Sequence, residues 1–273
     1  MSHGEASMSE PHFLYEKRGH IAICTFNRPE KKNALSIEML VRMADAWDEA
    51  DADAEVRAII LTGTGGVFCA GSDLGSMKSG KWDADDAWLN RMKESPDIHW
   101  KALLRHYLTK KPLIAAVEGY ALAGGTEILQ GTDIRVAGEG AVFGVTEVQL
   151  GLFPLGGSSV RLRRQIPYTI AAEMLLAGRR LTAAEALHYG LIGHVVPDGR
   201  ALEKAMEIGE RVAANGPVAV QAVKQSLIEN DGVPAKEALA RSLEIGQPVF
   251  KTRDAIEGPT AFMEKRKPQF QGS

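Results

Sequence analysis

The sequence predicts an α/β fold followed by a helical C-terminal segment. Up to about residue 199, short apolar or alternating runs typical of strands are separated by segments with the spacing of amphipathic helices. From Arg200 the helical spacing continues almost to the end, and glycine or proline stands at each junction. We therefore divide the chain into a flexible N-terminus (1–12), an α/β core (13–199) and a helical region (200–273).

The individual elements follow from local patterns taken in chain order. The predicted strands span residues 13–17, 21–26, 58–62, 67–70, 113–117 and 194–196. The predicted helices are one capped by Ser36, one starting near Thr126, one capped by Thr182, those at 161–165 and 169–176, and the C-terminal four at 202–214, 218–229, 234–250 and 252–266. Residues 75–111 form a long cover segment in which helical spacing runs from about 84 to 108, with a break at Pro96.

Composition restricts the class of protein. The chain has 273 residues, of which 45% are apolar and 25% charged, as in an ordinary globular protein. The net charge of −3 argues against nucleic acid as a main partner, because phosphate binding needs a basic surface. No apolar run is long enough to cross a bilayer, and the N-terminus lacks the pattern of a signal peptide. Cys24 and Cys69 lie in apolar runs, which favours buried free thiols in a reducing compartment. We expect a cytoplasmic protein.

Three turns that contain glycine follow strand-like runs, at residues 69–74, 123–127 and 154–158. None is a phosphate loop, because no Gly-Lys-Ser/Thr follows, and each alone is more often structural than functional. In combination, two strand ends followed by helix starts can direct the backbone N–H groups of Ser72 and Gly124 at one carbonyl oxygen. A thioester carbonyl that becomes an enolate places negative charge there, and one such donor is worth roughly 3 kcal/mol.

Two glutamates, Glu127 and Glu147, lie in surroundings more apolar than a solvated carboxylate needs. Alone, the first could be a helix first-turn carboxylate and the second a turn residue. Paired, they could add one water across a polarised double bond. Metal ligation is not predicted, because His99 and His106 share a helix face without a third ligand at fitting spacing.

An ordered set of motifs then becomes recognisable. It consists of Asn27-Arg28-Pro29, Asn33-Ala34-Leu35, the 68–74 and 111–157 segments, Gly178-Arg179, 183–186, Gly190-Leu191 and 261–266. On these residues the chain resembles the crotonase superfamily, specifically the enoyl-CoA hydratases, from about residue 13 to 270. The 123–133 segment is most similar to actinobacterial paralogues of that group.

The resemblance implies a spiral of ββα units followed by a helical trimerisation region, assembled as a trimer or a dimer of trimers. It implies an acyl-CoA substrate, no metal or redox cofactor, and a thioester oxygen held by the N–H groups of Ser72 and Gly124. Glu127 would orient and deprotonate the water that attacks C3, and Glu147 would deliver the proton to C2. The activity expected is hydration of 2-enoyl-CoA in fatty-acid or related lipid breakdown.

By the same resemblance, the coenzyme A part of the substrate would contact residues from both ends of the chain, with Phe262 and Lys265 supplied by the same chain or by a neighbouring subunit. These residues are Lys31, Lys32, Ala34, Ala70, Asp73, Leu74, Phe262 and Lys265. The chain departs from the family pattern at Gly75, Ala123, Thr146 and Leu155, and the last two leave the preferred acyl length open. Two alternatives remain: an enoyl-CoA isomerase, which needs only Glu147, and a non-catalytic acyl-CoA-binding protein, which would be expected to lack a glutamate.

Overall fold

The computed structural model describes residues 10–80 and 84–273 and confirms the α/β architecture. Its strands are β1 Phe13–Arg18, β2 Ile21–Phe26, β3 Ala58–Gly63, β4 Leu113–Val117, β5 Tyr120–Leu122, β6 Ile134–Gly138, β7 Val142–Gly144, β8 Arg180–Thr182 and β9 His194–Val196. Its helices are α1 Ile37–Ala52, α2 Leu74–Ser79, α3 Asp86–Glu94, α4 Ile98–Ala102, α5 Gly124–Leu129, α6 Ser158–Gln165, α7 Tyr168–Ala177, α8 Ala183–His188, α9 Ala201–Ala213, α10 Pro217–Glu229, α11 Ala235–Gly246 and α12 Asp254–Met263. Short 3-10 helices lie at Pro29–Lys31, Glu147–Leu150 and Gln247–Lys251.

The strands form two mixed sheets. The larger has the order β1-β2-β3-β4-β6-β9, antiparallel only between β1 and β2, and the smaller has the order β5-β7-β8. The chain passes from the larger sheet to the smaller one and then into a helix, first as β4-β5-α5 and then as β6-β7 followed by the 3-10 helix at Glu147–Leu150. This alternation brings the helix starts to the same end of the smaller sheet.

The strand predicted at 67–70 is reduced to a single bridge, in which Cys69 pairs in parallel with Ala121 of β5. The reason lies just before it, because the Asn33 side-chain amide donates a hydrogen bond to the Val67 carbonyl at 2.6 Å and withdraws it from strand pairing. The bridge still completes a third passage from the larger sheet, β3, through the edge of the smaller sheet into α2.

Helices cover both faces of the larger sheet. Ser36 caps α1 by accepting a hydrogen bond from the Met39 N–H at 3.1 Å, and α1 buries Trp47 completely. On the opposite face, α9 packs its buried residues against Ile60 and Ile114. Helix α9 therefore packs with the core, although the predicted boundary at residue 200 assigns it to the helical region.

Two predicted helices are shorter than expected. The segment predicted at 84–108 divides near Pro96 into α3 and α4, and it ends at Ala102, just before Leu104, which has φ +55°. The helix predicted at 234–250 ends at Gly246 and continues as a 3-10 helix with Pro248 near its start.

Among the outer helices α10 to α12, α10 is joined to the core through a buried lysine. Lys224 of α10 is 5% exposed and donates to Asp133 at 2.7 Å.

The predicted flexible N-terminus spans residues 1–12, of which 1–9 lie outside the described residues. The His12 N–H donates to Glu38 at 3.2 Å. Among the described helices, none combines the length and apolarity required to span a bilayer.

Candidate active site

Strand register brings two helix starts together. Cys69 pairs with Ala121, and Ser72 and Gly124 each follow three residues later. A methyl group added to Gly71, which has φ +94°, would lie 2.8 Å from the Ala123 Cβ and 3.4 Å from the Gly124 nitrogen. The two chain segments are therefore in contact, and only glycine fits at 71.

Both backbone N–H groups predicted as oxyanion donors lack a hydrogen-bond partner among the described residues. Leu35 pairs with the residues on either side of Ser72, since its N–H donates to the Gly71 carbonyl at 2.8 Å and its carbonyl accepts from the Asp73 N–H at 3.3 Å. Gly124 is the first residue of α5, where an N–H has no partner within the helix. Within residues 10–80 and 84–273, neither group donates a backbone hydrogen bond. Two donors on adjoining chain segments are thus available to a ligand.

Ala123 has backbone strain just before the second donor. Its φ of +48° and ψ of −120° match the first central position of a type II′ turn, which glycine favours. We expect Ala123→Gly to raise the free energy of unfolding by about 1 kcal/mol, because it removes this strain. Chemical denaturation would measure the change. Ala121→Gly is the control, because Ala121 lies in β5 and glycine there should lower the free energy of unfolding. A loss of stability in both variants would contradict the strain.

Glu127 is held at the start of another helix. Its side chain is 4% exposed, and its carboxylate accepts hydrogen bonds from the Gly156 N–H at 2.9 Å and the Ser158 N–H at 3.1 Å. Ser158 is the first residue of α6, so the positive end of that helix also faces the carboxylate. Burial raises the pKa of Glu127, and these donors oppose the rise by stabilising the charged form.

Glu147 lies next to Glu127 but in a different environment. The Ala123 N–H donates to the Gly144 carbonyl at 2.7 Å and the Gly144 N–H to the Thr126 hydroxyl at 3.1 Å, so β7 delivers Glu147 to the start of α5. Its Oε2 is buried and has no hydrogen-bond partner among the described residues. Burial, and then the charge of Glu127, raises the pKa of Glu147 to about 7. Both carboxylates are thus disfavoured as anions by burial, but the two backbone donors offset part of this effect at Glu127, whereas the charge of Glu127 adds to it at Glu147.

The structure brings six of the eight predicted coenzyme A residues together. The loop with Lys31, Lys32 and Ala34 is joined to the segment with Ala70, Asp73 and Leu74 by backbone bonds, including Ala70 N–H to Lys32 carbonyl at 3.1 Å.

Asp73 also has a structural part. It accepts from the buried Arg28 guanidinium at 2.7 Å, which lowers its pKa, and from the Ser76 N–H at 3.1 Å as the cap of α2.

Phe262 and Lys265 belong to the C-terminal end of the chain. Helix α12 packs on the 3-10 helix Gln247–Lys251 and leaves Phe262 85% exposed. The contact of all eight residues with coenzyme A stays a prediction.

Sequence reasoning missed the partners of Glu127. Gly156 and Ser158 belong to the third glycine turn, for which no function was predicted. A methyl group on Gly156 would lie 2.5 Å from the Glu127 Oε2, so this glycine is required for the close approach. The available signal was a glycine turn before a helix, a local pattern that often binds an anion.

A cavity of about 1170 Å³ lies elsewhere, between α10, α11 and the 105–110 segment. Arg161 lines it, but neither Glu127 nor Glu147 does. In the described part of the chain, no group of His, Cys, Asp or Glu side chains has the arrangement of a metal site. Both cysteines are buried free thiols, as predicted.

A pair of available N–H donors together with two carboxylates in different environments is the arrangement expected of an enzyme that acts on a carbonyl compound through a stabilised oxyanion. Comparison with known proteins narrows this class. The family model described as "Enoyl-CoA hydratase/isomerase" matches residues 16–273. The chain belongs to this family.

Individual relatives agree. The chain is 54% identical to "Enoyl-CoA hydratase EchA19" of Mycobacterium tuberculosis, with 96% of this chain and 97% of that protein covered. It is 34% identical to the "2,3-dehydroadipyl-CoA hydratase" of Escherichia coli, over 97% of this chain and 100% of the relative. The solved structure of enoyl-CoA hydratase EchA1 from Mycobacterium marinum has a TM-score of 0.88 and 41% identity, and 97% and 100% of the two chains are covered.

The predicted crotonase-type fold with C-terminal helices and the resemblance to actinobacterial hydratases are therefore confirmed.

Proposed function

We propose that the protein is an enoyl-CoA hydratase in which Glu127 and Glu147 divide the addition of water between them. The carrying observation is the difference between the two carboxylates, because Glu127 has two backbone donors and Glu147 has a pKa raised to about 7. Ionised Glu127 accepts a proton from water as the oxygen attacks C3. Protonated Glu147 gives its proton to C2, and the Ser72 and Gly124 N–H groups hold the enolate oxygen in between.

The same two carboxylates, with their roles exchanged, catalyse dehydration, which is the reverse reaction. The pair carries one proton before and after the reaction, on Glu147 before hydration and on Glu127 after it. Because the substrates do not ionise, kcat/KM has the same pH dependence in both directions. It falls when the shared proton is lost and when a second proton is gained.

An isomerase needs one group that moves a proton between two carbons of the substrate. The second carboxylate, fixed by the Gly156 and Ser158 N–H groups, favours hydration, because it provides a base for water. A non-catalytic acyl-CoA-binding protein would need neither the pair nor its opposed environments. The presence of both glutamates therefore supports the hydratase.

Turnover of enoyl thioesters tests the function. The protein would be incubated with crotonyl-CoA and with longer 2-enoyl-CoAs, and the loss of absorbance of the conjugated thioester would be followed. We expect loss of absorbance with formation of the 3-hydroxyacyl-CoA. Binding of these thioesters without turnover of any of them would sink the hydratase, and double-bond migration without added water would identify an isomerase.

The outer helices support a homo-oligomer. Val223 and Leu227 on α10 are 61% and 74% exposed, and Leu239 and Leu243 on α11 are 71% and 59% exposed. Each pair is four residues apart and forms an apolar stripe, which is costly to leave in water. We assign these stripes to contacts between subunits of a trimer or a dimer of trimers. The two buried free thiols fit a cytoplasmic location.

The double variant Leu239→Glu/Leu243→Glu is expected to shift the protein to a smaller species, because charges on the stripe oppose its burial. Size-exclusion chromatography with light scattering would measure the molar mass. Leu14→Glu, on the exposed side of β1, is the matched control. An unchanged molar mass in the double variant would place the contact elsewhere.

A further inference from the structure

Ser158 is linked to Glu127 by more than its backbone. The residue is fully buried at the first position of α6, and its N–H donates to the Glu127 Oε1 at 3.1 Å. Its hydroxyl oxygen accepts a hydrogen bond from the Gln130 Nε2 at 2.7 Å. Because that bond uses the oxygen as an acceptor, the hydroxyl hydrogen remains to be donated to another group.

The Gln130 side-chain amide is held so that it donates to the Ser158 hydroxyl oxygen. Gln130 lies three residues after Glu127 at the end of α5, so both side chains are on the same side of the helix. Its Nε2 also donates to the Thr126 carbonyl at 3.2 Å. Exchanging the amide oxygen and nitrogen would place an oxygen against that carbonyl, so the amide can only donate to Ser158.

We infer that Ser158 is a positioning residue for the hydration reaction: its hydroxyl, oriented by the Gln130 amide, donates a third hydrogen bond to the Glu127 carboxylate. This inference rests on the proposed role of Glu127 as the base. The Glu127 carboxylate is the proposed acceptor because Ser158 is already bonded to it through its N–H at 3.1 Å. The Ser158 side chain also opposes the rise in the pKa of Glu127.

The chemical consequence concerns which member of the pair holds the proton. A carboxylate that accepts several hydrogen bonds resists protonation. With three donors, Glu127 stays ionised under conditions in which Glu147 holds the shared proton, which is the arrangement needed for water to be deprotonated. Loss of the hydroxyl would move part of the proton population from Glu147 to Glu127.

The variants are Ser158→Ala, which removes the donor, and Ser158→Thr, which keeps a hydroxyl. Gln130→Met removes the orienting amide with similar length, and Ser159→Ala on the same helix is the control. The pKa of Glu127 would be read from ¹³C NMR of labelled glutamate carboxyl groups, assigned with Glu127→Gln, in a titration that does not depend on activity.

We expect Ser158→Ala to raise the pKa of Glu127 by about 0.5–1 pH unit, as loss of one hydrogen bond to a charged group implies. Gln130→Met should give a smaller rise, and Ser158→Thr and Ser159→Ala should match the unaltered protein. The acid limb of the kcat/KM profile should move upward with the NMR value, and activity should recover at higher pH.

A pKa of Glu127 unchanged in Ser158→Ala, or an equal loss of activity at every pH, would overturn the inference. An unaltered protein that turns over no enoyl thioester but shows the expected pKa changes would instead remove the proposed function and leave the hydrogen bond in place. If Ser158→Ala does not fold, the Gln130→Met titration alone decides, because that variant keeps the hydroxyl and loses only its orientation.

Discussion

Glu127→Gln is expected to lower kcat for hydration by about 10³-fold, since a positioned acid or base typically contributes 10²–10⁴. Glutamine has the same shape but cannot take a proton from water. Its amide group would also face one of the two N–H donors from Gly156 and Ser158, so only one of these bonds survives. Steady-state kinetics with a 2-enoyl-CoA would measure the loss, and binding of the CoA thioester should change little.

The matched control is Glu118→Gln. Glu118 accepts a backbone N–H bond as Glu127 does, from Ala201 at 3.0 Å, but at the start of α9. We expect it to retain hydratase activity. Retention of most hydration activity by Glu127→Gln would contradict the assignment of Glu127 as the base, and it would favour the isomerase, in which Glu147 alone suffices.

Much of the fold was predictable because it depends on local pattern. The cap at Ser36, the capping box at Thr182 and the apolar run of β4 each identify an element from a few adjacent residues, and the structure has all three. Where the structure of a segment depends on a contact with a residue distant in sequence, its local sequence pattern does not predict it. The strand predicted at 67–70 is one such case, because a side chain distant in sequence, Asn33, takes up its carbonyl.

The site divides in the same way. The two glutamates and the glycine turns were visible as residue types, and the family pattern assigned the roles proposed for them. Their environments were not visible, because the donors to Glu127 come from about thirty residues later in the chain, at Gly156 and Ser158. The strain at Ala123 was also not predicted: the sequence shows that this residue departs from the family pattern, but not that its φ is positive.

Glu147→Gln is expected to lower kcat for hydration by about 10³-fold, as Glu127→Gln does, because an amide cannot deliver a proton to C2. The same change should stabilise the protein at neutral and higher pH. The pKa of Glu147 rises from 4.5 to about 7 on folding, so the folded state binds the proton more tightly than the unfolded chain does. The free energy of unfolding therefore falls as the pH rises between these values, and above pH 7 the folded chain carries the full cost of the charge.

Glutamine is neutral at every pH and does not carry this cost. Because Glu147 is only half-buried, solvent screening reduces the effect, and we expect Glu147→Gln to be more stable by roughly 1 kcal/mol at pH 8. The gain should vanish below about pH 4.5, where both states of the unaltered protein are protonated. Urea unfolding at pH 4, 6 and 8 would measure it, with the exposed Glu139→Gln as a control for loss of one surface charge. The variant could be inactive while its stability relative to the unaltered protein does not change with pH. That result would support a catalytic role for Glu147 but contradict its raised pKa. Lower stability at pH 8 would contradict the cost of the buried charge on which this prediction rests.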